Sequence, residues 1–107
     1  MRKSIQSQVA LAVVISLAGA VSFAQSSGEA IYKAKCAMCH GATGMADTNV
    51  GKAMKVKPVT DKTVKSSTAA QMIQATTNGS GAMKPFKDKL TDAQIKDSVT
   101  YFRSFIK

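Results

Sequence analysis

The stretch that decides the reading is Cys36-Ala37-Met38-Cys39-His40. Two thiols three positions apart fall on one face of a helical turn, where they can add across the two vinyl groups of a single porphyrin. The neighbouring imidazole then lies under the iron. Its Nε2 can bind the metal while its Nδ1-H is held by a backbone carbonyl, which fixes the tautomer and strengthens the ligand. C-x-x-C-H is the pattern of covalent haem c attachment. The rival readings are a redox dithiol, a structural disulfide and half a zinc site. A zinc site needs a second ligand pair, and the chain has 2 Cys and 1 His in all. A thioredoxin-type dithiol belongs in a βαβ pattern, and no alternating or β-branched run precedes Cys36.

Upstream of this motif the chain opens with Arg2 and Lys3, followed by an apolar and small-residue run of 13 from Val9 to Val21. That is short for a bilayer span and the right length for the apolar region of a secretory leader. Ser22-Phe23-Ala24 puts small residues where a signal peptidase reads them, so residues 1–24 are expected to be a cleaved signal peptide, with no stable membrane anchor. Residues 25–107 are then one domain, since removing 24 residues from 107 leaves 83. A chain of that size builds a marginal core without a staple, and a covalent haem would be that staple.

The whole chain carries 15 Lys and Arg against 6 Asp and Glu, a formal charge of +9. Without Arg2 and Lys3 the balance is 13 to 6, near +7, and two ionised propionates would lower it to about +5. With few aromatics and no nucleic-acid motif, the partners to expect are acidic protein surfaces rather than nucleic acid.

Downstream, the first helix is expected to start at Ser26-Ser27-Gly28-Glu29 and run to Cys39, with Gly28 and Tyr32 on one face. Gly41-Ala42-Thr43-Gly44 ends it. Met45 to Val59 reads as a loop covering the proximal side, with a helical turn at Gly51 to Lys55. A carbonyl of this loop, for instance near Pro58, is the expected acceptor for His40 Nδ1-H, the sequence leaving open which one, with Met54 and Val59 facing the ring. Ser66-Ser67-Thr68 opens a second helix over Ala69 to Thr77, capped early by a hydroxyl and stopped by Asn78-Gly79. Thr91 and Gln94 form a capping box with Asp92 at the positive end of the last helix. Ile95, Val99, Phe102 and Ile106 give that helix one apolar stripe.

From about Ser26 to Lys107 the sequence resembles the small single-haem class I c-type cytochromes of bacteria, of the cytochrome c6 and c553 type. The matching pieces are Gly28 and Tyr32, Cys36-x-x-Cys39-His40-Gly41, Gly81-Ala82-Met83 with Pro85-Phe86, and Tyr101-Phe102-Arg103. The resemblance implies an all-α fold of three to five helices around one covalent haem c, a crossing of the first and last helices at Gly28, and His40 and Met83 as axial iron ligands. Met83 suits that role by position. It stands 43 residues after His40 in a glycine-rich loop, whereas Met38, Met45, Met54 and Met72 belong to the attachment motif, the proximal segment or a helix face. Lys84 intervenes before Pro85, where many relatives place proline directly after the methionine.

A closed His/Met site with no visible nucleophile or carboxylate pair implies single-electron transfer rather than enzymatic catalysis. Thioether ligation and a buried ring favour ferrous iron, hence a positive potential. The expected protein is a periplasmic monomer exchanging electrons with an oxidase, a dehydrogenase or a quinol-oxidising complex. Lys33, Lys35, Lys84, Lys87 and Lys89 are placed to ring the exposed haem edge. The alternatives are a five-coordinate haem sensor or weak peroxidase, and a fixed electron-transfer subunit of a larger complex.

Overall fold

Short side-chain oxygens start most of the helices in this chain, because each can take up one of the amides that a helix N-terminus leaves without a partner. The computed structural model describes the backbone of residues 21–107 and the side chains from residue 27 onward. In it, α1 spans Val21–Lys35, α2 Ala37–His40, α3 Asn49–Ala53, α4 Lys62–Ser66, α5 Ala69–Asn78 and α6 Asp92–Arg103. Thr48 caps α3, Asp61 caps α4, and Thr68 and Thr91 cap α5 and α6. Both of the last two are full capping boxes, closed by Gln71 and Gln94. Asp61 accepts from both the hydroxyl and the amide of Thr63, which hold its carboxyl below the usual carboxylate range.

The architecture is all-α. Among the described residues the only extended pairing is an isolated bridge between Ser80 and Met83. The six segments exceed the three to five expected for two reasons. The first helix is interrupted at Cys36, and α4 is a single turn that apolar periodicity does not reveal. The first helix also has no boundary at Ser26, since it runs on from Val21; serine inside a helix costs only a few tenths of a kcal/mol against its neighbours. The short turn after the haem motif begins at Asn49 rather than Gly51, because Thr48 supplies the cap. The leader expected at residues 1–24 falls for its greater part outside the described residues.

The molecule is held by α1 crossing α6, its most extensive helix contact, with α5 against the other side of α6. The crossing is at Gly28, where an added Cβ would collide with the Asp97 carbonyl oxygen. Beside it Tyr32 is 1 % exposed and Ile95 fully buried. Val99 continues the stripe inward, while Ile106 lies beyond the end of α6. Arg103 ties α6 to the start of α5, its Nη1 donating to the Ser67 carbonyl at 2.9 Å and lying 3.6 Å from the Met72 sulfur. After α5 the chain curls through 79–85 and returns, with Phe86 and Lys87 amides donating to the Thr76 and Thr77 carbonyls at 3.0 and 3.2 Å. Among the described residues no helix is long and apolar enough to cross a membrane.

Candidate haem site

Cys36 sits at the joint between α1 and α2, and Cys39 and His40 follow within the single turn of α2. The Cys39 and His40 amides both donate to the Cys36 carbonyl, at 3.2 and 2.9 Å. That folds the motif into one turn with the two thiols together. Both are half-buried and neither is in a disulfide. Burial pushes the Cys36 thiol up to about 11, and the neighbouring Cys39 adds to it. Burial also lowers the pKa of His40, which favours the neutral imidazole, the form with a lone pair to give a metal.

His40 is flanked by Phe102 of α6, edge-on with ring centroids 5.2 Å apart. Its Nδ1 is buried and has no hydrogen-bond partner among the described residues. No carbonyl of the loop meets it, and Pro58 O takes the Asp61 amide at 2.9 Å. Of the two residues expected to face the ring, Val59 is buried and Met54 is 46 % exposed. The chemistry of the set fits haem c: two free, clustered thiols and a neutral, orphaned imidazole next to them on one turn. Cys36, Cys39 and His40 could therefore hold it.

Met83 lies on a separate loop, half-buried, with its amide and carbonyl paired to Ser80 at 2.9 and 3.0 Å. Gly79 allows that loop to close, since a Cβ there would meet the Met83 carbonyl oxygen at 2.9 Å. The short pairing leaves the thioether of Met83 on a backbone anchored at both ends, by α5 before it and Phe86 after it.

Two residues at this site escaped the sequence reading. The Tyr32 hydroxyl donates to the Gly41 carbonyl at 2.6 Å, and the Thr48 hydroxyl donates to the Met38 carbonyl at 2.6 Å. Tyr32 was legible as a packing residue but not as a donor. Thr48 could have been found as a helix cap, though nothing local shows where its proton points. Tyr32 is buried among Tyr101, Phe102 and Phe105, with centroids 5.4, 6.1 and 5.7 Å away, and that burial raises its pKa well beyond the ordinary tyrosine range.

An all-α chain that presents two thiols and an imidazole on one turn, flanked by crossed terminal helices, defines a protein built around covalent haem. Comparison with known proteins makes this specific. Residues 23–102 match a family model described as cytochrome C oxidase, cbb3-type, subunit III. A cytochrome c6 of Synechocystis sp. is 33 % identical over 100 residues, covering 87 % of this chain and 81 % of that protein. A cytochrome c6 of Leptolyngbya boryana is 34 % identical over 76 residues, covering 71 % and 86 %. Among solved structures, the KustC0563 c-type cytochrome superimposes with a TM-score of 0.68 at 29 % identity, covering 75 % of this chain and 98 % of that one. The chain belongs to the small class I c-type cytochromes. It is an electron carrier with one covalently bound haem c, acting with redox partners.

Proposed function

We propose that residues 25–107, freed from a leader at residues 1–24, shuttle single electrons in the periplasm of a respiring cell. Cys36 and Cys39 would form the thioether links, and His40 and Met83 would ligate the iron. The observation that carries this reading is the half-buried His40 imidazole, its Nδ1 buried and without a partner among the described residues, beside two free half-buried thiols on a single turn. Haem bound there supplies an Fe(II)/Fe(III) couple. The chain's own residues hold it: Cys36 and Cys39 anchor the ring covalently, and His40 donates one lone pair. Met83 donates a soft sulfur from a loop tied at both ends, and Phe102 keeps water from one side of His40. A site held this firmly changes little between oxidation states, which favours fast electron exchange over bond chemistry.

Lys35, Lys84, Lys87 and Lys89 are all exposed, as is Lys33, which pairs weakly with Glu29 at 3.7 Å. They supply a cationic field for acidic partners. Electron-transfer rates with the native partner are expected to fall as salt rises, because charges further apart than about 10 Å are screened at 0.1 M.

The direct test is an oxidised and reduced absorption spectrum of protein matured in a periplasm, for wild type and Met83→Ala. Wild type is expected to show a low-spin c-type spectrum with the weak ferric sulfur-to-iron charge-transfer band. Met83→Ala should lose that band and bind carbon monoxide when reduced. A wild type that already lacks the band and takes up carbon monoxide would instead be the five-coordinate sensor or weak peroxidase. A second reading, a fixed subunit of an oxidase complex, is favoured by the description of the matching family model. Size exclusion of a native extract separates the two: a free shuttle without its leader elutes below the 11.3 kDa of the whole chain, and a fixed subunit with its complex.

A further inference from the structure

We propose that Thr48 and Tyr32 are positioning residues for the iron-ligating histidine, gripping the backbone carbonyls on either side of His40; this rests on the assignment of His40 as an axial ligand. The last carbonyls of any helix lack partners within it, and α2, at four residues, is nearly all end. Its own ladder serves Ala37 O, which takes the Gly41 amide at 2.8 Å. Of the four carbonyls from Met38 to Gly41, three accept from outside the helix, and Gly41 O also takes the Gly44 amide at 3.3 Å. Met38 O accepts the Thr48 hydroxyl at 2.6 Å, His40 O accepts the Ala46 amide at 2.8 Å, and Gly41 O accepts the Tyr32 hydroxyl at 2.6 Å. Cys39 O lies so close to Gly51 that a Cβ on that residue would collide with it.

Thr48 does two things with one hydroxyl. Its oxygen accepts the Gly51 amide at 2.9 Å, capping α3, and its proton goes to Met38 O, coupling α3 to the attachment turn. Tyr32 reaches the other end of the carbonyl row from α1, with its ring locked among three aromatic neighbours. Imidazole ligands are commonly oriented by a hydrogen bond on the second ring nitrogen, but His40 Nδ1 has no such partner among the described residues. Its orientation therefore depends on the backbone that carries it, and on that backbone the two hydroxyls are the side-chain donors that add to the amide hydrogen bonds from Gly41, Gly44 and Ala46.

The experiment compares haem-loaded wild type with Thr48→Val, Thr48→Ser, Tyr32→Phe and Thr91→Val, by midpoint potential, ferric electron paramagnetic resonance and thermal melting. Thr91→Val removes an equivalent helix cap on α6, so it controls for lost stability. Thr48→Val and Tyr32→Phe are expected to shift the potential and add a second set of low-spin g-values, reporting a second imidazole orientation. Thr48→Ser should restore both, and Thr91→Val should melt lower with wild-type potential and g-values. If Thr48→Val does not retain haem while Thr91→Val does, Tyr32→Phe carries the comparison. Wild-type potential and g-values in both hydroxyl-deleted variants, at whatever melting temperature, would overturn the proposal and leave the His40 assignment intact. Wild type without covalent haem would overturn the assignment and the proposal together.

Discussion

Gly28 lacks a side chain at the point where the α6 backbone passes, and the Asp97 carbonyl occupies the space a Cβ would need. Neither backbone can yield without separating α1 from α6, the main contact of the fold. Gly28→Ala is therefore expected to destabilise the haem-loaded protein by about 1–3 kcal/mol, the usual cost of overpacking. The reading is the urea midpoint of the haem-loaded protein; an unchanged midpoint would mean the helices have room to spare. Ile95 makes the opposite case. It is fully buried on the same interface, and Ile95→Ala should cost about 2–5 kcal/mol through the cavity it leaves.

At the level of single elements, α6 is the best specified piece of the chain. Thr91 and Gln94 satisfy each other's free amides at 3.1 and 2.9 Å, and Arg103 at the far end donates to Ser67 O. Thr91→Ala should cost about 1 kcal/mol, read as a melting temperature lower by about 4–8 °C for a domain of this size. The same periodic and capping signals exposed α5 and α6 from sequence, since both are local. They failed at α4, whose five residues are too few to show a period, and at Cys36, where α1 breaks without a glycine or proline. They also failed at Ser26, where the backbone of α1 runs on from Val21.

For the molecule as a whole, the polypeptide's own core is thin: the buried apolar side chains among the described residues are Tyr32, Ala46, Val59, Ile95 and Val99. A core this small rarely supplies more than about 3–5 kcal/mol in a domain of about 80 residues. Haem attachment is the expected source of the rest. Chain matured without haem, or a Cys36→Ala/Cys39→Ala variant, should show a broad, non-cooperative thermal transition by circular dichroism. A sharp transition would show that the helices hold without the cofactor.

The sequence by itself determined the cofactor, the helical class and the starts of the later helices. Thiol spacing, caps and apolar stripes are properties of residues within one or two turns of each other, and covalent geometry leaves them little choice. Tertiary structure alone decided that Gly28 meets Asp97, that no loop carbonyl among the described residues reaches His40 Nδ1, and that Thr48 and Tyr32 reach the carbonyls around His40. Those contacts join segments far apart in the chain. Which donor reaches which acceptor is settled only when every helix has found its packing partner.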